Sequence, residues 1–146
     1  MIAQTIQLAL APVFVLVAIG NIMNLLTTRL GRVVDRARAL QERHSQTEGM
    51  DHDVLVREMR NIDRRIALTG QALRLLVLSG LTIGLTVALL FVEELGGIDL
   101  QSFAAGAFLV AIGLLMVALL LFLRETQLAA ASLRIPSDLL ELDRKL

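Results

Sequence analysis

The sequence predicts an all-α integral membrane protein with three transmembrane helices, of which the first two extend into a cytosolic antiparallel helical hairpin. Three observations support this fold class. Of the 146 residues, 55% are hydrophobic and only 19% are charged. The charged residues are missing from three long runs. Between the first two runs, apolar residues alternate at spacings of three and four, which is typical of helices that pack along one face.

The three uncharged runs predict the membrane spans. A spanning helix needs about 20 mostly apolar residues, and a soluble domain of this size has too little mass to cover three such helices. The first run has no basic residues before it and several after it, which favours a retained anchor over a cleaved signal peptide. We therefore predict transmembrane helices at residues 1–28, 75–92 and 102–123.

The basic residues predict the orientation. Every Lys and Arg lies either between the first two spans, at 29–74, or in the tail, at 124–146. The short connection at 93–101 carries three acidic residues and no basic one. Because basic residues stay on the cytosolic side, we expect the N-terminus outside, an external loop at 93–101, and a cytosolic C-terminal helical tail.

The segment 29–74 predicts the hairpin. Apolar residues recur at heptad spacing in both of its arms, as in two antiparallel coiled-coil helices. A polar stretch at 45–53 contains Gly49 and predicts the turn. One register, in which the numbers of facing residues sum to 99, pairs the arms throughout, and in it Glu58 can face Arg43.

The tail predicts a helix that continues the third span and stops before Pro136, because the residue that precedes a proline disfavours the helical conformation. Beyond it, Leu139, Leu142 and Leu146 lie on one side of a short amphipathic helix. This helix either lies on the membrane or packs on the hairpin, and the sequence favours neither.

A polar stripe on the first helix supplies the first set of candidate site residues. Its members recur at spacings of three, four or seven and share one face: Gln4, Gln7, Asn21, Asn24 and Thr28. An amide without a hydrogen-bond partner in hydrocarbon costs about 2–7 kcal/mol, so this face must meet protein or water. Two interpretations stay open: these residues hold helices together, or they line a water-filled pore.

Charged residues beyond the first span supply the second set: Arg29, Arg32, Asp35, Arg36 and Asp63. In one interpretation they form a solvated face that sets the orientation and contacts anionic lipid headgroups. In the other they pair between neighbouring subunits or form a ring at the cytosolic mouth of a pore. The sequence is compatible with both.

Composition and motifs argue against several classes of function. The 14 basic residues balance 14 acidic ones, and no Trp or Tyr is present to stack on bases, so nucleic-acid binding is not expected. The absence of cysteine excludes thiolate sites. His44 and His52 near the hairpin turn are ordinary for a solvated loop. No phosphate-binding loop or catalytic motif occurs, so we predict no enzyme, no metal and no cofactor.

The expected partners are the lipid bilayer and other copies of the chain. Three helices alone barely cover the polar stripe, which favours a homo-oligomer. Our working hypothesis is an ion or small-solute channel lined by transmembrane helix 1. The alternative is a non-conducting scaffold or regulatory subunit whose cytosolic hairpin binds a partner.

Residues 11–40 carry a family resemblance. The segment APVFVLVAIGNIMNLLTTRLGRVVDRARAL combines Pro12, a polar region from Asn24 to Thr28, and an arginine-rich run that ends at Leu40. It resembles the small bacterial membrane proteins of domain-of-unknown-function family 2721, over nearly the whole chain. The resemblance implies three spans with a cytosolic excursion after the first, in a bacterial inner membrane. It implies no activity and no site residues.

Overall fold

The computed structural model describes residues 1–133 and 144–145, and within them it contains three α-helices and no strand. Helix α1 spans Ile2–His44, α2 spans Met50–Gly96 and α3 spans Gln101–Ser132. Each helix is long and apolar enough to cross a membrane. The all-α class and the three candidate spans are thereby confirmed, and the chain has the features of a multi-pass membrane protein. The amphipathic helix predicted around Leu139 lies outside the described residues.

Two tight connections join the helices. The first ends at Gly49 with φ 71°, and the second begins at Gly97 with φ 63°. Glycine adopts these left-handed values without the steric penalty that a Cβ brings. Both α1 and α2 continue without interruption from the apolar spans into the charged segment between them. The hairpin arms are therefore extensions of the spans, as the uninterrupted heptads predict.

Buried residues follow a seven-residue repeat in all three helices. In α1 the repeat consists of Pro12, Ile19, Leu26, Val33 and Leu40. In α2 it consists of Leu55, Ile62, Thr69, Leu76 and Ile83. In α3 it consists of Ala104, Ala111, Ala118 and Glu125. A seven-residue repeat keeps one side of a helix against its neighbours over many turns, so a single narrow seam runs through spans and hairpin alike.

Helix α2 packs against both of the other helices. Its contact with α3 is close: the buried Ser79 hydroxyl donates to the backbone carbonyl of Ala111 at 2.7 Å. Small residues allow this approach. The glycines of the spans do not mediate it, because a Cβ added at Gly84, Gly106 or Gly113 would meet nothing within 4 Å. Ser79 and the alanines of α3 form the contact instead.

The outer part of the hairpin has its own apolar core. The buried residues Val33, Leu40, Leu55 and Ile62 form it, with Ala37, Met59 and Ile66 packed against them. An ion pair crosses the two arms, and it differs from the predicted pairing. Glu58 binds Arg36 at 2.8 Å rather than Arg43. The two arginines are seven residues apart and share one column of α1, so the heptad pattern alone does not distinguish them.

Candidate functional site

The polar stripe of α1 lies on the exposed surface of the chain. All five predicted residues, Gln4, Gln7, Asn21, Asn24 and Thr28, are exposed on the surface of the chain. The Thr28 hydroxyl donates to the Asn24 carbonyl within its own helix at 3.0 Å. Neither Asn21 nor Asn24 has a side-chain hydrogen bond within the described part of the chain. The stripe therefore does not bind this chain's own helices together.

Four residues of the stripe lie in two straight columns that follow the same seven-residue repeat as the buried seam, and Asn24 lies beside the first column. One column contains Gln7, Phe14, Asn21, Thr28 and Asp35, all exposed. A second contains Gln4, Ala11, Ala18, Leu25 and Arg32, also all exposed. Two of the predicted charged residues therefore continue the polar face into the hairpin. The outward surface of α1 is one continuous face with Phe14, 70% exposed, between polar ends.

A charged cluster joins all three helices where the spans meet the hairpin. Glu125 of α3 is 1% exposed. Its Oε2 accepts from Arg29 Nη2 of α1 at 2.8 Å, and its Oε1 accepts from Arg65 Nε of α2 at 3.0 Å. One carboxylate thus bridges two guanidinium groups, which themselves remain partly exposed at 31% and 18%. We call Arg29, Arg65 and Glu125 the charge bridge.

The seven-residue repeat of α3 places Glu125 in the buried seam. Position 125 follows Ala104, Ala111 and Ala118 at intervals of seven, so it occupies the seam where the other three positions are alanine. A carboxylate at such a position must be paired, because burial of an isolated charge is very costly. The sequence analysis missed this residue. Extending the alanine repeat by one heptad would have identified it.

The side chain of Arg29 packs against α3, whereas a residue that lines a pore would project from the exposed face of α1. Its guanidinium carbon is 5.3 Å from the centre of the Phe122 ring, within the range of a cation–π contact. Its Nε atom is buried without a hydrogen-bond partner. Both features place the side chain against α3. Arg36 is likewise paired within the chain, with Glu58.

The other three predicted charged residues have no ion-pair partner in the part of the chain that the structure describes. Arg32, Asp35 and Asp63 are exposed, and none of them forms an ion pair with another residue of the described ranges. The five residues therefore separate into two groups. Arg29 and Arg36 hold this chain's helices together, whereas Arg32, Asp35 and Asp63 are accessible to a partner.

A sequence comparison identifies the family to which the chain belongs. The profile of the protein family of unknown function DUF2721 matches residues 9–135, which include nearly all of the three helices. The chain belongs to this family. The match confirms the resemblance seen in residues 11–40 and includes every residue of the charge bridge. Searches of curated proteins and of solved structures found no match to the chain.

Proposed function

We propose that this DUF2721 protein is a homo-oligomeric, non-enzymatic channel for ions or small solutes, with the outward face of α1 lining its pathway. The observation that carries the proposal is the exposure of Asn21 and Asn24 on a helix apolar enough to cross a membrane. An amide at such a place needs either water or a second protein surface, because lipid offers no hydrogen bond.

Copies of the same chain are the simplest source of that second surface. Symmetric association of membrane helices places the same face of each copy around one axis. The α1 face suits close approach, because Ala11 and Ala18 lie on it and Gly20 beside it has open space around its Cα. In a ring of copies, Asn21 and Asn24 turn either to the axis or to the adjacent copy, and both positions remove them from lipid.

The order of residues along the face is that of a gated pathway. Gln4 and Gln7 lie near one end, Asn21, Asn24 and Thr28 near the other, and Phe14 between them. Neutral dipoles replace part of the hydration shell of an ion without trapping it, and an apolar constriction closes a pore by dewetting. We assign the gate to Phe14 and its neighbours up to Val17.

The charges at the hairpin end of the pathway are Arg32 and Asp35. The geometry supports these two residues over Arg29, which is engaged by Glu125. Since they have opposite charges and are exposed on one face, Arg32 of one copy can pair with Asp35 of the next. The predicted charged ring is therefore an alternating ring, which favours weak rather than strong ion selectivity.

The proposed setting is a bacterial inner membrane with the N-terminus outside and the hairpin and C-terminus in the cytosol. The distribution of basic residues supports this orientation. The bilayer is then a partner, and the exposed arginines of the hairpin lie near the anionic headgroups of the inner leaflet.

Conductance of the purified full-length protein in planar lipid bilayers tests the channel. We expect unitary currents from the wild type and a large loss of conductance in Asn21→Leu. Leu81→Ile, on the exposed back of α2, is the matched control and should conduct normally. Arg32→Glu should shift selectivity towards cations. Bilayers that stay silent with well-folded wild-type protein over a range of voltage would reject the channel.

A groove in the hairpin supports a second candidate, the non-conducting scaffold. It has a volume of about 390 Å³ and is lined by both arms, including Ala37, Gln41, Met59, Arg60 and Asp63. Its lining combines apolar and charged side chains, as in grooves that accept an amphipathic helix. A photo-crosslinking residue at Gln41 should then capture one defined partner in intact cells. The same residue at Arg57, outside the groove, is the control.

A further inference from the structure

Two arginines line one groove between α2 and α3. Arg64 and Leu68 contribute from α2, and Arg124, Gln127 and Leu128 from α3, around a volume of about 270 Å³. This groove is separate from the charge bridge, although Arg64 adjoins Arg65 and Arg124 adjoins Glu125 in sequence. Adjacent residues of a helix point in directions about 100° apart, so the two pairs occupy different flanks of the same contact.

The groove has an excess of positive charge. The acidic residues next to these arginines in sequence do not line it: Glu125 is buried and already bound to Arg29 and Arg65, and Asp63 lines the groove between the two hairpin arms instead. Neither Arg64 nor Arg124 has an ion pair in the ranges that the structure describes. Two like charges around one cavity repel each other, and a bound anion removes that repulsion. Guanidinium groups are the preferred protein ligands of phosphate, since their N–H groups bind two of its oxygens at once.

The position of the groove along the helices indicates which kind of anion it binds. Arg124 is the first charged residue after the apolar run of α3. The contacts of Ser79 with Ala111 and of Arg65 with Glu125 set the antiparallel register, so Arg64 lies at the same level. Both arginines therefore lie at the level where the apolar run of α3 ends. If this run spans the bilayer, that level is the depth of the lipid phosphates of the adjacent leaflet.

An apolar track leads from the groove into the span. Val117 and Leu120 are exposed and precede Arg124 by seven and four residues, which puts them on the same face of α3. A ligand that fits has a phosphate at one end and hydrocarbon at the other. We propose that this groove binds the headgroup of an anionic phospholipid, with an acyl chain along Val117 and Leu120. The site does not depend on whether the protein conducts.

Lipid binding by the full-length protein tests the proposal. Native mass spectrometry in mild detergent, with phosphatidylglycerol or phosphatidylcholine titrated in, should show preferential retention of phosphatidylglycerol. The double variant Arg64→Gln/Arg124→Gln should weaken this binding at least about tenfold, as expected for two basic residues near the lipid surface. The matched control Arg38→Gln/Arg57→Gln, which removes two exposed arginines elsewhere on the hairpin, should bind as the wild type does.

Three results would overturn the proposal. Equal loss in both double variants would assign the effect to general charge. Binding of inorganic phosphate strong enough to displace phosphatidylglycerol would make the groove a soluble-anion site. A change of subunit number in the groove variant alone would identify the groove as a contact between copies. Circular dichroism of both variants confirms that they are folded, and a photoreactive phosphatidylglycerol should label peptides that contain Leu120 in the wild type only.

Discussion

The guanidinium of Arg29 binds the carboxylate of Glu125 at 2.8 Å, and this contact joins the first helix to the third across 96 positions of sequence. Arg65 of the second helix completes the charge bridge. The bridge lies where the spans continue into the hairpin, so it sets how the third helix meets the two long ones. A buried ion pair that is fully paired adds little net stability, but removing one partner is costly.

Glu125→Gln should therefore destabilise the protein. The substitution removes the charge that compensates two guanidinium groups, and we expect the free energy of unfolding to fall by about 1–3 kcal/mol. Thermal and denaturant unfolding in detergent, followed by circular dichroism, measure the change. Glu58→Gln is the control. It breaks the exposed pair with Arg36 and should cost about 0–1 kcal/mol. Equal losses in the two variants would refute a special role for the bridge.

A larger side chain at the contact of α2 and α3 should lower the free energy of unfolding far more than a larger side chain on the open side of α3. Ala111 is fully buried against Ser79, whereas a Cβ at Gly113 meets nothing within 4 Å. Ala111→Leu should destabilise by about 1–3 kcal/mol through overpacking. Gly113→Leu should be neutral within this chain. The unfolding midpoints of the two variants test the prediction, which fails if the order is reversed.

Self-association should depend on the outward face of α1. Asn21→Leu combined with Asn24→Leu removes the amides that need a partner, and we expect the subunit number in mild detergent to fall. Native mass spectrometry or analytical ultracentrifugation provides the measurement. Leu81→Ala on α2 changes an equally exposed position without a polar group and should leave the subunit number unchanged. A wild type that is monomeric throughout would contradict the proposed assembly.

The proposed orientation predicts which turn is accessible from outside the cell. The chain has no native cysteine, so single cysteines report cleanly. Gly49 and Gly97 are poor sites for them, because both have positive φ and a side chain there costs about 1–2 kcal/mol. Glu48→Cys and Ile98→Cys avoid this strain. An impermeant maleimide should label Ile98→Cys in intact cells and Glu48→Cys only after lysis; the opposite pattern would invert the orientation.

Local pattern was enough to predict most of the fold. The uncharged runs identified three helices that can cross a membrane, Gly49 marked a turn, and the spacing of polar residues placed Asn21 and Asn24 on one face. Such features depend only on residues within a few helical turns of one another. The fixed period of a helix determines, from the spacing in sequence, which side of the helix each residue occupies.

Only the tertiary structure decided which residues meet. Glu58 binds Arg36 rather than Arg43, and the side chain of Arg29 packs against α3. Asn21 and Asn24 are exposed on the surface of the chain. These contacts depend on the register between helices that are distant in sequence. Sliding one helix by a heptad leaves the apolar pattern of each helix unchanged, so the pattern alone does not identify the register. The close fit of Ser79 against Ala111 and the buried carboxylate of Glu125 select one register from these alternatives.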